Sequence, residues 1–201
     1  EVRKPDGSPL VQDLDLQVET GEGLVITGPS GIGKSVLVQS LAGMWPYASG
    51  QVRIPDGRDE AMFVPQLPYF PVGDLRTVVS YPQPPGAVED TAIQQALLDV
   101  ALPHLVIRLN DDQDWAKVLS VGEQQRVAFA RVLVSKPTIV FLDESTSAMD
   151  EGLEHTLYDV LRAQLPGAPE PLFTLESYRT TVEHWGNGVV VSEATVKVHL
   201  P

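Results

Sequence analysis

The sequence predicts an α/β fold whose core is a mostly parallel sheet, and three observations predict it. The β-prone run Gly23-Leu24-Val25-Ile26-Thr27 leads directly into Gly28-Pro29-Ser30-Gly31-Ile32-Gly33-Lys34-Ser35, which satisfies the phosphate-loop pattern G-x-x-x-x-G-K-[ST]. A second apolar run, Thr138-Ile139-Val140-Phe141-Leu142, ends in the carboxylates Asp143-Glu144 and suits a strand buried on both faces. Around these runs apolar residues recur at helical spacing, so that strands and helices alternate.

Taken in order, the chain begins with a turn at Pro5-Asp6-Gly7-Ser8-Pro9 and an alternation through Leu10, Leu14, Leu16 and Val18 toward Gly21. This predicts two β-segments before the phosphate-loop strand. After the loop, Leu37, Leu41 and Met44 share one helical face, with Gly43 near the stop and Pro46 beyond it. Gly50-Gln51-Val52-Arg53-Ile54 predicts a short strand closed by Pro55-Asp56-Gly57, and Ala61-Met62-Phe63-Val64 predicts another ending at Pro65-Gln66. From about residue 73 to 136 the periodicity is helical, with Asp90 placed to cap a helix carrying Ile93, Leu97, Val100 and Ala101, and with a rigid loop at Tyr81-Pro82-Gln83-Pro84-Pro85-Gly86. Pro137 stops the helical stretch. Leu153, Leu157, Val160 and Leu161 describe a helix after Asp150, and the apolar Pro171-Leu172-Phe173-Thr174 and two β-prone runs near the end complete the pattern.

The 201 residues suit one domain, or a domain with a small subdomain, large enough to bury roughly 70% of its unfolded surface. The absence of cysteine excludes disulfides, thiolate catalysis and cysteine metal sites, and fits a reducing compartment. No signal-peptide pattern and no run of 18 apolar residues occurs in the segment. A formal net charge of −13 repels a phosphate backbone, so no nucleic-acid partner is expected.

In the phosphate loop, Gly28, Gly31 and Gly33 let backbone N–H groups turn inward around a phosphate where a Cβ would obstruct them, and the following helix adds its N-terminal partial charge. Lys34 is expected to reach the β- and γ-phosphates of a nucleoside triphosphate, and the Ser35 hydroxyl to ligate Mg²⁺. Farther on, Ser120-Val121-Gly122-Glu123 has the spacing of a helix capping box, and such a helix start is also an anion site. Two carboxylates at the C-terminal edge of a parallel sheet sit where ligands bind.

Leu119-Ser120-Val121-Gly122-Glu123-Gln124-Gln125-Arg126, followed by Phe141-Leu142-Asp143-Glu144-Ser145-Thr146-Ser147-Ala148-Met149-Asp150, resembles the ATP-binding-cassette family over essentially the whole chain. The family's signature reads L-S-G-G-E-Q in most members, Gln66 falls where its Q-loop glutamine lies, and Ser147 to Asp150 matches its D-loop. Leu41-Ala42-Gly43-Met44-Trp45-Pro46 looks like one branch, half-transporters that include peroxisomal fatty-acyl exporters and bacterial importers of peptides or cobalamin.

The resemblance implies a P-loop NTPase with a mostly parallel core sheet, an antiparallel β-subdomain and an inserted α-helical subdomain, with 1–72 and 137–201 as catalytic core and about 73–136 as the helical part. It implies ATP and Mg²⁺, with Gly28, Pro29, Ser30, Gly31, Ile32, Gly33, Lys34, Ser35 and Val36 around the phosphates. Ser120, Gly122, Glu123 and Asp150 would act across a head-to-tail homodimer. Ser35, Gln66 and Asp143 would serve the metal, Asp143 through water, while Glu144 would polarise the attacking water and Gln66 would sense the γ-phosphate. The implied partners are a second nucleotide-binding domain and a transmembrane domain on the same polypeptide, at the cytoplasmic face of a bacterial inner membrane. Two departures from the family matter most: the adenine-stacking aromatic falls on Arg3 or Lys4, and the switch histidine falls on Tyr178, with His184 six residues on. The rival readings are a hydrolysis-impaired, ATP-dependent dimerisation module and a soluble cassette ATPase.

Overall fold

The computed structural model describes residues 1–16, 23–27, 31–53, 61–164, 187–190 and 195–199. Their contacts divide into two compact units, the first drawn from Glu1–Phe63, Thr138–Glu144 and Gly167–Pro201, the second from Val64–Pro137 and Ser145–Pro166.

In the first unit, β1 (Val2–Arg3) and β2 (Pro9–Val11) form an antiparallel pair. The turn between them is closed by Asp6, whose Oδ1 accepts from Ser8 N at 2.9 Å and Ser8 Oγ at 2.6 Å. The predicted phosphate-loop strand is β3 (Gly23–Thr27), and the helix after it is α1 (Lys34–Leu41). Together with β4 (Ala61–Val64), β7 (Ile139–Asp143), β8 (Asn187–Val190) and β9 (Thr195–His199), β3 makes a five-stranded sheet in the order β4-β7-β8-β3-β9. β9 runs parallel to β3, whereas β8 is antiparallel to both β3 and β7. β3, β7 and β9 therefore share one direction. Val2, Val11, Ile26, Leu37, Val38 and Phe141 form the buried cluster under this sheet.

The second unit is helical. α2 (Leu75–Ser80), α3 (Asp90–Asp99), the 3₁₀ turn Pro103–Arg108, α4 (Trp115–Val118), α5 (Val121–Ser135) and α6 (Glu151–Gln164) surround a core of Leu75, Val78, Ile93, Leu97, Trp115, Phe129, Leu157 and their neighbours. A two-residue antiparallel ladder, β5 (Gly73–Asp74) with β6 (Asp112–Gln113), opens it. Asp74 caps α2 by accepting from Thr77 N at 2.8 Å. Residues 64–72 and 145–166 lie in this unit, so it is larger than the 73–136 segment marked by helical periodicity. The reason is packing: α6 lies on α5, with Phe129 and Tyr158 edge to face at 6.0 Å.

Several local expectations are corrected. Residues 50–53 form no strand; Gly50 takes φ 127°, and the contact with β1 is instead a single bridge from Ala48 to Val2. Residues 12–16 are not a strand either, and Asp13 turns the chain at φ 52°. Met44 is 59% exposed because α1 has already ended at Leu41. Asp90 is not a cap but the first helical residue, held by Arg76 through Nε–Oδ1 at 2.5 Å and Nη2–Oδ2 at 2.9 Å. Ala101 turns outward at φ 58°, and Leu102 is buried in its place. The apolar run 171–174 lies outside the described residues.

Arg131 organises the middle of the helical unit. It is 4% exposed, and burial pushes its pKa down to about 10, so it remains charged at neutral pH. Its Nε donates to Val78 O at 2.9 Å and its Nη1 to Tyr69 O at 2.7 Å, while the guanidinium lies 4.9 Å from the Phe70 ring centroid and 5.3 Å from that of Tyr81. Arg131→Ala removes both donors and leaves a cavity beside the buried Val78 carbonyl and the partly buried one of Tyr69. Chemical denaturation should show a loss of about 3 kcal/mol. Arg131→Lys, which keeps the charge and one donor direction, should lose less; equal losses would mean that only the bulk of the side chain matters.

Candidate functional site

The sheet register brings the two sequence signals together. Asp143 pairs with Asn187 on one side of β8, and Ile26 pairs with the same Asn187 on the other. Asp143 thus stands two strand spacings, about 10 Å, from the residue that precedes Thr27 and the phosphate loop. Both strands finish at one sheet edge, and α1 packs against β7.

The described part of the loop shows why its residue types are needed. Gly31 takes φ 79° and Gly33 takes φ 107°, both in the left-handed region. A Cβ on Gly33 would also fall 2.9 Å from Leu10 Cδ1 and closer still to Cδ2. The side chains of Ile32 and Val36 pack against the buried cluster, which leaves any phosphate contact at these positions to their backbone amides. Lys34 is buried, 9% exposed, in the first turn of α1, and Ser35 follows it half-buried. Gly28, Pro29 and Ser30 lie outside the described residues, as does Tyr178.

At the end of β7 two neighbouring carboxylates face opposite environments. Asp143 is 8% exposed, and its Oδ1 is buried with no hydrogen-bond partner among the described residues. Glu144 is exposed and takes φ 49°, a conformation that costs a non-glycine residue on the order of 1 kcal/mol and turns the chain out of the sheet. A buried, unpaired carboxylate oxygen suits a hydrated divalent cation. Among the described residues no cluster of three or more His, Cys, Asp or Glu could hold a metal by itself, so a cation beside Asp143 would need oxygen ligands of other kinds, such as a hydroxyl, an amide, a bound phosphate or water.

Arg3, at the adenine register, is committed elsewhere. Its Nη2 pairs with Glu1 at 2.7 Å and its Nη1 donates to Gly7 O at 2.8 Å. The aromatic pair Trp45 and Tyr47 lies against the backbone of the same residue, with Trp45 Nε1 donating to Arg3 O at 2.8 Å.

The helical unit carries the remaining residues. The capping box of α5 forms: Glu123 Oε2 accepts from Ser120 N at 2.9 Å and Ser120 Oγ at 2.7 Å, while Ser120 Oγ accepts from Glu123 N at 3.4 Å. His104 Nε2 sits 3.1 Å from Glu123 Oε1. Burial raises the Glu123 pKa, but the Ser120 hydrogen bonds, with His104 and Arg126 nearby, outweigh it and hold the carboxyl below its ordinary value. Val121, where the family pattern has glycine, is 45% exposed and so meets no obstacle. Gly122 is different, since a Cβ there would lie 3.0 Å from Ala148 O.

Gln66 donates from Nε2 to Ser147 Oγ at 3.3 Å. Asp150 caps α6, its Oδ1 accepting from Leu153 N at 3.0 Å. Three participants were missed by sequence reasoning. Thr146 Oγ1 donates to Glu154 at 2.5 Å, fixing the turn before α6, and burial raises the Glu154 pKa. The third, Gln125, is fully buried and bonds to both the Gln66 and Ser147 segments. The available signal was its place in the apolar stripe of α5, in register with Ala128, Phe129 and Val132.

The ABC transporter family model matches residues 11–147. A Haemophilus influenzae protein described as an uncharacterized ABC transporter ATP-binding protein is 41% identical over 165 residues, which are 82% of this chain and 28% of that protein. Human ATP-binding cassette sub-family D member 3 is 38% identical over 166 residues, 79% of this chain and 25% of its own length. The solved structure of a bacterial Atm1-family ABC exporter with ATP bound aligns with a TM-score of 0.62 at 27% identity, over 74% of this chain and 28% of the exporter chain. The chain thus spans less than a third of these relatives.

The Gly33 geometry separates two costs in one double-mutant cycle. Gly33→Ala should destabilise the chain by roughly 2–3 kcal/mol, from the left-handed backbone and from the collision with Leu10. Adding Leu10→Ala should recover only the collision part. Full recovery in urea unfolding would show that the backbone conformation costs nothing.

Proposed function

Because this chain belongs to the ABC transporter family, we propose that it binds Mg-ATP, hydrolyses it in a head-to-tail dimer and so drives a membrane domain. The observation that carries this reading is Asp143 Oδ1, buried and without a partner among the described residues at the sheet edge to which β3 leads. In this reading the amides of residues 28 to 36 and the Lys34 ammonium hold the phosphates, and Glu144, exposed beside Asp143, orients the attacking water. Ser35, Asp143 and Gln66 are the proposed holders of Mg²⁺, which when bound would neutralise charge developing on the phosphate oxygens. Ser120, Gly122 and Glu123 at the start of α5, with Asp150, are assigned to the second subunit's nucleotide.

The likeness to exporters and to cassette half-transporters supports placing the chain at the cytoplasmic face of a membrane, with its transmembrane partner on the same polypeptide. No helix among the described residues is long and apolar enough to cross a membrane. The acidic charge supports the absence of a nucleic-acid partner.

Two substitutions test the dimer. Lys34→Ala should abolish ATP binding, whereas Ser120→Arg should leave binding to one subunit intact and remove turnover. If both weakened monomer affinity equally in titration calorimetry, the assignment of Ser120 to the partner's nucleotide would be wrong.

A second reading, slow hydrolysis with ATP-dependent association, is favoured by Tyr178 alone. Histidine at that position can donate to the γ-phosphate and carry positive charge near neutral pH, whereas tyrosine, with a pKa of about 10, donates but stays neutral. Losing one preorganised charge stabiliser costs on the order of 10²–10³ in rate and less in binding. Tyr178→His should therefore raise the single-turnover rate with little change in ATP affinity, and equal rates would remove this reading.

A further inference from the structure

The Gln125 side chain is fully buried on α5, and the described contacts use both ends of its amide. Its Oε1 accepts from Ala148 N at 3.1 Å, and its Nε2 donates to Gln66 O at 3.0 Å and to Ser147 Oγ at 3.1 Å. The Ser147 hydroxyl is shared, since Gln66 Nε2 donates to it as well. On the other side of the same turn, a Cβ on Gly122 would lie 3.0 Å from Ala148 O, tight enough that the turn would have to give by a few tenths of an ångström. One amide therefore joins three segments far apart in sequence, and it does so five residues after the Ser120 cap, about 7 Å along a single rigid helix.

We propose that Gln125 is a positioning residue that ties the Gln66 segment to the Ser147-Ala148 turn, so that γ-phosphate sensed at Gln66 sets the placement of the turn that faces the second subunit. This rests on the ATPase reading above. Neither an acid nor an apolar side chain can keep both of its functions. Glutamate at this position would still accept from Ala148 N but, when ionised, would meet Gln66 O with an oxygen instead of a donor. Methionine of similar length would fill the space and make neither bond. A displacement of about 1 Å in a catalytic assembly is enough to cost on the order of 10²-fold in rate.

The test uses Gln125→Glu and Gln125→Met in the full-length protein, with two readouts. In steady-state ATP hydrolysis, both variants should lower kcat by roughly 10- to 100-fold while KM for ATP changes less than about threefold, because the phosphate loop is untouched. In hydrogen–deuterium exchange without nucleotide, the Ala148 amide should exchange faster in Gln125→Met than in the parent, and ATP should protect residues 65–68 but no longer residues 146–149. Parent-like kcat with parent-like exchange at Ala148 would overturn the proposal, as would loss of folding in neither variant together with a rise in KM alone. A parent protein that bound no ATP would sink the ATPase reading, and the nucleotide-free exchange at Ala148 would still decide whether Gln125 holds the turn.

Discussion

Everything at the sheet edge depends on how β8 aligns its neighbours. Because Asn187 pairs with Ile26 and with Asp143, β3 and β7 run the same way and end level. A slip of one residue in β7 would exchange the faces of every side chain on it. Val140, Phe141 and Leu142 are buried on alternate faces, so such a slip would mismatch side-chain shapes on both covered faces at once and carry the acid off the level of Ile26. The result is a buried carboxylate followed at once by one in solvent. Opposite environments at consecutive positions follow from a strand that ends in a left-handed residue.

The helical unit solves a different problem. The irregular stretch after Gln66 has carbonyls with no ladder to join, and buried carbonyls without donors are costly. α5 supplies the donors from its own buried face: Gln125 reaches Gln66 O, and Arg131 reaches Tyr69 O. Two polar side chains in an apolar stripe thus order a segment that has no regular structure of its own. Gln124 does the same on the exposed side, donating to Ala116 O and Leu119 O at 2.9 Å each, which fixes the entry from α4.

What was legible in the sequence was local. The phosphate-loop helix, the buried strand before Asp143, the capping box at Ser120 and the amphipathic α6 each follow from spacing within one element. What escaped depends on partners far along the chain. Asp90 has the composition of a cap, yet Arg76, from another helix, takes its carboxylate. Residues 50–53 have strand-like residues, but only Ala48 finds a partner edge. Gln125 lies in the right register to be seen, but periodicity says only that a position is buried, not what a polar group there will bond to.

The same distinction accounts for the departure at the signature. Two adjacent positions carry glycine in most of the family, and this chain replaces the first with Val121 and keeps Gly122. The first opens toward solvent, where the valine stands half out of contact, so a side chain there disturbs neither the Ser120 cap nor the helix behind it. The second backs onto Ala148 O, and a methyl group would have to displace a backbone carbonyl that is already fixed through Ala148 N by Gln125. Packing leaves the first position open and crowds a side chain at the second. An anion approaching the start of α5 would still meet free helix-terminal amides, but with an isopropyl group beside them, so any narrowing of that approach comes from shape and not from lost hydrogen-bond donors.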